Sequence, residues 1–220
     1  MSHLALSLAG ETLWLLPDKA LYWPARRLLL LADLHLGKAA TFRARGQPVP
    51  DGTTATNLAR LDAVLARYET TSLIFLGDLL HAREALTPAL LERLAAWRAR
   101  HPGLDCLLVR GNHDRHAGPL PDALGIDTVA EQPAGPFLLR HEPHREPGRI
   151  VLAGHVHPAY VLQGPGRDRV RLPCFSIEDD LGVLPAFGDF TGSWTVASAP
   201  GRRIYLVGDG QVWPVPPVRG

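Results

Sequence analysis

Apolar residues in this chain fall into short, dense runs separated by polar and glycine-rich stretches. Leu28-Leu29-Leu30-Leu31-Ala32 is the first, Ser72-Leu73-Ile74-Phe75-Leu76 the second, and Asp105-Cys106-Leu107-Leu108-Val109-Arg110 the third. Short unbroken runs of this kind predict strands buried on both faces. Between the first two, Leu58, Leu61, Leu65 and Tyr68 recur at helical spacing. They predict a helix capped by Thr53 or Thr54 and running to about Tyr68. Between the second and third, Leu90, Leu91, Leu94 and Trp97 predict another helix. It opens at Thr87-Pro88 and closes at Pro102-Gly103. Residues 37–52, polar and rich in Gly, Pro and Arg, predict a loop. A strand–helix–strand–helix–strand order predicts a parallel sheet with right-handed crossovers.

Residues 3–8, 11–16 and 20–23 predict further strands, the last ended by Pro24. Past residue 125 or so, short β-rich segments punctuated by Gly and Pro occupy 126–130, 136–140, 149–153, 158–162, 169–172, 181–186, 193–197, 203–207 and 211–214. They predict mostly antiparallel strands that form or complete a second sheet. No repeat, low-complexity linker or charge run divides residues 1–220, so one domain is expected.

Composition narrows the class. Hydrophobic residues at 46% can build a sizeable core, and 20% charged residues with a net charge of +1 argue against disorder. The same near-neutral charge offers no global electrostatic case for nucleic acid, so any such case must rest on local patches. Cys106 and Cys174 stand outside metal or redox spacings; unpaired packing thiols in a reducing cytoplasm are expected. Leu4, Leu6 and Leu8 alternate with polar or small residues, which is strand periodicity rather than a secretory leader. No run approaches the roughly 18 apolar residues of a membrane span, so no membrane partner is expected.

Five clusters of ligand-type residues follow the sheet-like segments. They are Asp33-Leu34-His35, Gly77-Asp78, Gly111-Asn112-His113-Asp114, Arg140-His141-Glu142-Pro143 and Gly154-His155-Val156-His157-Pro158. The carboxyl edge of an open α/β sheet is where sites assemble. Hard oxygens beside imidazoles suit divalent first-row metals, and two ions sharing one carboxylate need about this many ligands. Glycines beside the ligands permit sharp turns.

In this order, the five clusters resemble the calcineurin-like binuclear metallophosphoesterase superfamily across residues 33–157. The resemblance implies an α/β fold (α+β by some schemes), a four-layer αββα sandwich of two mixed β-sheets flanked by helices. It implies that Asp33, His35 and His157 hold one metal, that Asn112, His141 and His155 hold a second, and that Asp78 bridges them. His113 would then meet a non-bridging or leaving phosphate oxygen, with Asp114 accepting the His113 ring N–H. His144 is an alternative to His141; the latter follows directly on Phe137-Leu138-Leu139 and is preferred. Two ions about 3.5–4 Å apart would clamp the phosphate and acidify a bridging water, whose hydroxide attacks phosphorus. Mixed N/O donors suit Mn, Fe, Zn or Co; the resemblance points to Mn.

Three further stretches refine the reading: Asp33-Leu34-His35-Leu36-Gly37-Lys38, His155-Val156-His157-Pro158-Ala159, and Leu172-Pro173-Cys174-Phe175 followed by Leu184-Pro185-Ala186-Phe187-Gly188-Asp189-Phe190-Thr191-Gly192. Together they are similar to the bacterial ligase-associated DNA-damage-response endonucleases. That branch implies a Mn-dependent DNA endonuclease or phosphodiesterase working in DNA repair alongside a DNA ligase and a helicase. The expected substrate is single-stranded or looped DNA. Lys38, Arg43, His81, Arg83, Arg115 and His116 are candidate substrate contacts. Arg45, Arg140, His144, Arg145, Arg149, Arg167, Arg169 and Arg171 would extend a basic rim for flanking phosphates. The competing reading makes these arginines solvated loop residues balanced by Glu131, Glu142, Glu178, Asp179 and Asp180. The five tryptophans are expected in the core, while Phe187 and Phe190 either pack or line the groove. Two other functions stay open. One is a phosphatase or pyrophosphohydrolase acting on a small molecule or nucleotide. The other is a non-catalytic scaffold, which the absence of any degenerate metal position disfavours.

Overall fold

The structure, a computed structural model, describes residues 3–44, 46, 52–166, 168–189 and 191–217. Arg45, Arg167 and Phe190 lie outside the described residues. The first sheet has seven strands in sequential order: β1 (Leu4–Leu8), β2 (Glu11–Leu15), β3 (Leu21–Trp23), β4 (Leu28–Leu31), β5 (Ser72–Leu76), β6 (Asp105–Val109) and β7 (Ile126–Val129). β1 to β4 pair antiparallel, and β4 to β7 pair parallel. Residues 126–129, expected with the second half, therefore complete the first sheet.

Among the described residues four α-helices punctuate this region: α1 (Lys38–Ala44), α2 (Thr53–Arg67), α3 (Pro88–Arg100) and α4 (Asn112–Ala117). α1 falls where a loop was expected. The Lys-Ala-Ala-Thr-Phe-Arg-Ala segment has helix formers enough for two turns, but Gly, Pro and Arg on its C-terminal side mask them. At α2 the cap is Gly52, in a left-handed conformation, rather than either threonine. Thr54 Oγ1 instead accepts the Gly37 N–H at 3.3 Å, joining α2 to the start of α1. At α3, Thr87 caps as expected, its side chain accepting the Leu90 N–H.

The second sheet contains β8 (Gln132–Ala134), β9 (Phe137–Leu139), β10 (Ile150–Ala153), β11 (Pro158–Gln163), β12 (Arg169–Ile177), β13 (Leu181–Val183), β14 (Trp194–Thr195), β15 (Arg203–Gly208) and β16 (Gln211–Pro214). Its path runs β14-β11-β12-β13-β10-β9-β8, with β15 and β16 added beside β12. Parallel pairs join β10 to β9 and β13, so this sheet is mixed. β8 was not anticipated; it carries Pro133, which an edge strand tolerates.

Alternation within the central strands explains the layering. Leu29 and Leu31 of β4 pack with Leu73 and Phe75 against Leu58, Leu61 and Val64 of α2 and Leu90, Leu94 and Trp97 of α3. Leu28 and Leu30 point the other way, with Ile74, Leu76 and Val109, against Phe137, Leu139, Leu152, Phe175 and Ile177 of the second sheet. β4 is thus buried on both faces, as its unbroken leucines require. The far face of the second sheet carries no α-helix among the described residues. Val196, Trp213 and Val215 cover Cys174, Ile204 and Leu206 there. Cys106 and Cys174 are free, buried, and in separate clusters. No helix among the described residues is long and apolar enough to cross a membrane.

Leu30 is fully buried between the two sheets. Leu30→Ala is expected to cost about 2–5 kcal/mol through lost burial and an unfilled cavity. Urea denaturation read by circular dichroism measures it, and a loss below about 1 kcal/mol would contradict this packing.

Candidate metal centre

Every cluster read from the sequence sits just past the carboxyl end of a strand: Asp33 after β4, Asp78 after β5, Asn112 after β6, His141 after β9, and His155 and His157 after β10. Asp33, His35, Asp78, His155 and His157 all have φ between 48° and 70°. Left-handed backbone is costly for residues with a side chain, roughly 1–3 kcal/mol each, and persists only where surroundings enforce it. Here backbone hydrogen bonds do so. Asp33 N–H donates to Gly77 O, His35 N–H to Asp78 O, and Leu36 N–H to Leu79 O, stitching the β4 and β5 loops together. Phe187 and Gly188 N–H donate back to Ala32 and Asp33 O. Two glycines are needed for close approach: a Cβ at Gly77 would lie 2.1 Å from His141 Nδ1, and one at Gly111 would lie 2.1 Å from Asp78 Oδ1.

Asp33, His35 and His157 form one group of converging donor atoms, and Asp78, His141 and His155 another. In the first, His157 Nε2 lies 3.2 Å from Asp33 Oδ1 and 3.3 Å from His35 Nε2. The His157 Nδ1–H donates to Gly192 O at 2.8 Å, so a neutral ring presents a lone pair at Nε2. Asp33 Oδ1 is buried and accepts no hydrogen bond. In the second group, His141 Nδ1–H donates to Leu76 O at 3.0 Å, which leaves Nε2 facing acceptors. Those are His155 Nδ1 at 3.0 Å, Asn112 Oδ1 at 3.0 Å and Asp78 Oδ2 at 3.3 Å.

Lone pairs that face one another at these separations repel unless a proton or a metal cation lies between them. Two ligand atoms bonded at right angles to one ion, each about 2.1 Å from it, would lie about 3 Å apart. The spacing and the orphaned Asp33 oxygen therefore fit a metal ion in each group. Ring N–H groups held by backbone carbonyls are the usual outer support of histidine ligands.

Charge supports the same reading. Burial holds His35 down to about 2, against the pull of Asp78, so it is neutral at any working pH. Burial also opposes protonation of His141, but the Asp78 and Asp33 carboxylates outweigh it and raise it to about 9. Burial opposes ionisation of Asp78, yet His141, His35 and the His113 N–H together hold its carboxyl below the usual range.

His113 heads α4 beside both groups. Its N–H donates to Asp78 Oδ1 at 2.9 Å, and its Nδ1–H to His81 O at 2.6 Å. The ring stacks on His81 with centroids 5.0 Å apart and meets the edge of His35 at 5.1 Å. Asp114 does not accept the His113 ring proton. It accepts the Gly111 N–H at 2.9 Å and the Leu80 N–H at 3.0 Å instead. Consecutive helical side chains diverge, so Asp114 braces the first turn of α4 rather than the imidazole beside it. Burial raises its carboxyl to about 6 despite those N–H groups.

The remaining sequence candidates divide. His141 is inside the cluster, while His144 is exposed, with Nδ1 3.7 Å from Glu142. His81 joins His35 and His113, and Phe42 stacks near it. Lys38 is half-buried and feels both Asp33 and Asp78. Arg83 is exposed. Arg43 lines a cleft with Thr54, Thr87 and Arg93 that no metal-type ligand borders. Arg115 lies 3.9 Å from Glu142, and His116 donates to Asn112 O. Arg140 is held by Glu131 and Glu146, and Arg145 by Glu178 and Asp180, so the solvated, balanced reading holds for this part of the rim. Phe187 is a fully buried packing residue under the Arg60 guanidinium. Trp23 and Trp97 are core, but Trp194 is 71% exposed. Sequence reasoning passed over Lys19, which reaches the edge of the site from the turn between β2 and β3.

The sequence model of calcineurin-like phosphoesterases matches residues 26–159. This chain belongs to that family. As a calcineurin-like phosphoesterase it is a metal-dependent hydrolase, and its family holds two divalent ions. Among solved structures, it is similar to the Pseudomonas putida nuclease MPE, with 49% identity and a TM-score of 0.87, over 97% of this chain and all of that one. Yfce, a phosphoesterase from E. coli, is 15% identical with a TM-score of 0.39, over 83% of this chain and 88% of that one. A protein of unknown function from Aquifex aeolicus is 18% identical at the same TM-score, over 64% of this chain and 82% of that one. No curated protein matches significantly.

Ligation requires a deprotonated imidazole, and His141 carries a proton below about 9. Divalent-ion affinity of the phosphoesterase is therefore expected to rise with pH between 7 and about 9. Binding at pH 7 should release a proton. Calorimetry in buffers of different ionisation enthalpy reads that release; its absence would mean that His141 is already neutral at pH 7, and loss of the ion from His141→Ala then tests ligation itself.

Proposed function

We propose that this phosphoesterase is a DNA endonuclease that cleaves phosphodiesters at a binuclear centre, with residues 1–220 forming one domain. The observation that carries the binuclear assignment is that Asp78, a member of the second donor group, also faces His35 of the first. Its Oδ2 is 3.3 Å from His141 Nε2 and 3.9 Å from His35 Nε2. Asp78 is assigned as the bridge, Asp33, His35 and His157 as ligands on one side, and Asn112, His141 and His155 as ligands on the other. When bound, two divalent ions neutralise phosphate oxygens and bring an attacking water toward ionisation near neutral pH. Mixed nitrogen and oxygen donors fit Mn, Fe, Zn or Co; the motif resemblance supports Mn among them.

The chain's own residues supply the rest. The Nδ1–H of His113 is committed to His81 O, so Nε2 is the ring atom left to meet substrate. Protonated, it donates to the leaving or a non-bridging phosphate oxygen. Asp114 acts on His113 through the helix, by fixing Gly111 and Leu80. Stacking on His81 keeps the imidazole turned toward the donor groups.

Similarity over the whole chain to a protein described as a nuclease supports a nucleic-acid diester as substrate. The motif resemblance supports single-stranded or looped DNA, a role in cytoplasmic DNA repair, and functional association with a DNA ligase and a helicase. With Mn supplied, the protein is expected to cut single-stranded and looped oligonucleotides and to hydrolyse nitrophenyl diesters. A parallel assay with duplex DNA, nitrophenyl monoesters and cyclic nucleotides tests this; turnover of the monoester alone would overturn it. His113→Ala is expected to lower DNA cleavage by about 10²–10⁴-fold while metal content by mass spectrometry is unchanged. A fully active variant would remove the role given to His113.

A further inference from the structure

We propose that the cleft beside His157, walled by Lys19 from the first sheet and Arg171 from the second, binds the phosphate next to the scissile one in single-stranded DNA. The proposal rests on the DNA-hydrolase reading and gives the substrate strand a direction out of the metal centre. The cleft has a volume of about 260 Å³, and His157, Asp189, Thr191 and Ser193 complete its polar lining. His157 is thus shared: its Nε2 faces Asp33 in the metal group, while its ring forms one wall of the cleft.

Charge in the cleft is not balanced. Asp189 is contacted by Arg60 at 3.0 Å and by Lys19 at 3.5 Å, so two cations share one carboxylate. Arg171 has no carboxylate partner among the described residues; its guanidinium donates to Ser193 O. Arg140, Arg145 and Arg202, by contrast, are each neutralised by glutamate or aspartate. Burial, and then the neighbouring Arg60, lower Lys19 to about 8. A partly desolvated ammonium attracts an anion more strongly than one in open water. The Arg171 guanidinium adds planar donors suited to phosphate.

The loop bearing these groups ties cleft to centre. Gly192 O receives the His157 ring proton, and the neighbouring Ser193 O receives Arg171. A phosphodiester seated on Arg171 and Lys19 therefore lies on the loop that orients a metal ligand. The Arg43 and Arg93 cleft, though also cationic, borders no ligand and offers no such continuity.

The test uses an oligonucleotide with one cleavable position and a single neutral methylphosphonate placed at each flanking linkage in turn. For the Mn-loaded wild type, one flanking substitution is expected to slow cleavage at least tenfold. Arg171→Ala should show that same loss on all-phosphate DNA and no added loss from the neutral linkage, because both remove one contact. The slope of log KM against log salt should fall by about 0.7. Lys19→Met, on the other sheet, should show the same non-additivity. The ratio of DNA to bis(4-nitrophenyl) phosphate turnover is the second readout. Equal losses on both substrates would mean that Arg171 only holds the 191–193 loop, and would overturn the proposal, as would fully additive losses on DNA. A wild type that hydrolyses the nitrophenyl diester but cuts no DNA would instead overturn the DNA-hydrolase reading.

Discussion

The Asp33 carboxylate is the point on which the two sheets and the site depend together. It is fully buried at the end of β4, and its Oδ2 accepts the backbone N–H of His155 at 2.9 Å. One side chain of the first sheet thus fixes the loop after β10 in the second. A buried charge is tolerable only when it is paired or bound to a cation. The same contact that closes the sandwich therefore obliges the site to hold positive charge. Gly154, whose Cβ would fall 2.7 Å from Asp33 Oδ2, keeps the approach open.

From that constraint the rest of the edge follows. Two carboxylates and four imidazoles crowd into a region where five of the nine left-handed non-glycine residues among those described also lie. Without cations, the facing lone pairs and strained backbone are net costs that the sheets must overcome. The sheets can do so because their strands are buried on both faces, and the loops are cross-linked through backbone N–H groups. Isolated bridges from Ala32 to Ala186 and from Leu36 to Leu80 extend that cross-linking beyond the strand ends. The apolar layers between Leu30 and Phe175 thus supply the energy, and the hydrogen bonds decide where it is spent. Loss of either should loosen the metal groups before it unfolds the sheets.

Much of this was legible in the sequence because the ligands are local to strand ends. Asp33, His35, Asp78, Asn112, His155 and His157 each sit within a few residues of an unbroken apolar run or a glycine, and His141 follows Phe137-Leu138-Leu139. The β4, β5 and β6 strands and helices α2 and α3 announced themselves through periodicity. What periodicity could not convey was side-chain direction at a helix start. Asp114 was read as the partner of its neighbour His113, but successive positions on α4 point apart. Nor could a local pattern foretell α1, where seven residues with helix propensity abut a polar, glycine- and proline-bearing stretch. The arginines divide for a different reason. Charge pairing is long-range: Glu178 stands among the acids the sequence offered as balance, but only the structure shows that Arg145 takes it, across 33 residues.

That last distinction separates chemistry from selection in the molecule. The stretch that matches the calcineurin-like phosphoesterases, residues 26–159, contains every proposed metal ligand and His113. Lys19, Arg171 and Asp189 lie outside it, contributed by an N-terminal turn and by the strands and loops after β11. Lys19 and Arg171 carry no motif, because a phosphate contact of the kind proposed for them needs only a cation at the right place, and many chain positions can deliver one. Metal ligation needs specific atoms at separations near 3 Å, so it imprints on sequence as fixed clusters. A family built this way can keep its hydrolytic centre unchanged while the flanking segments decide which phosphodiester reaches it. In this chain those segments set Lys19 and Arg171 beside His157.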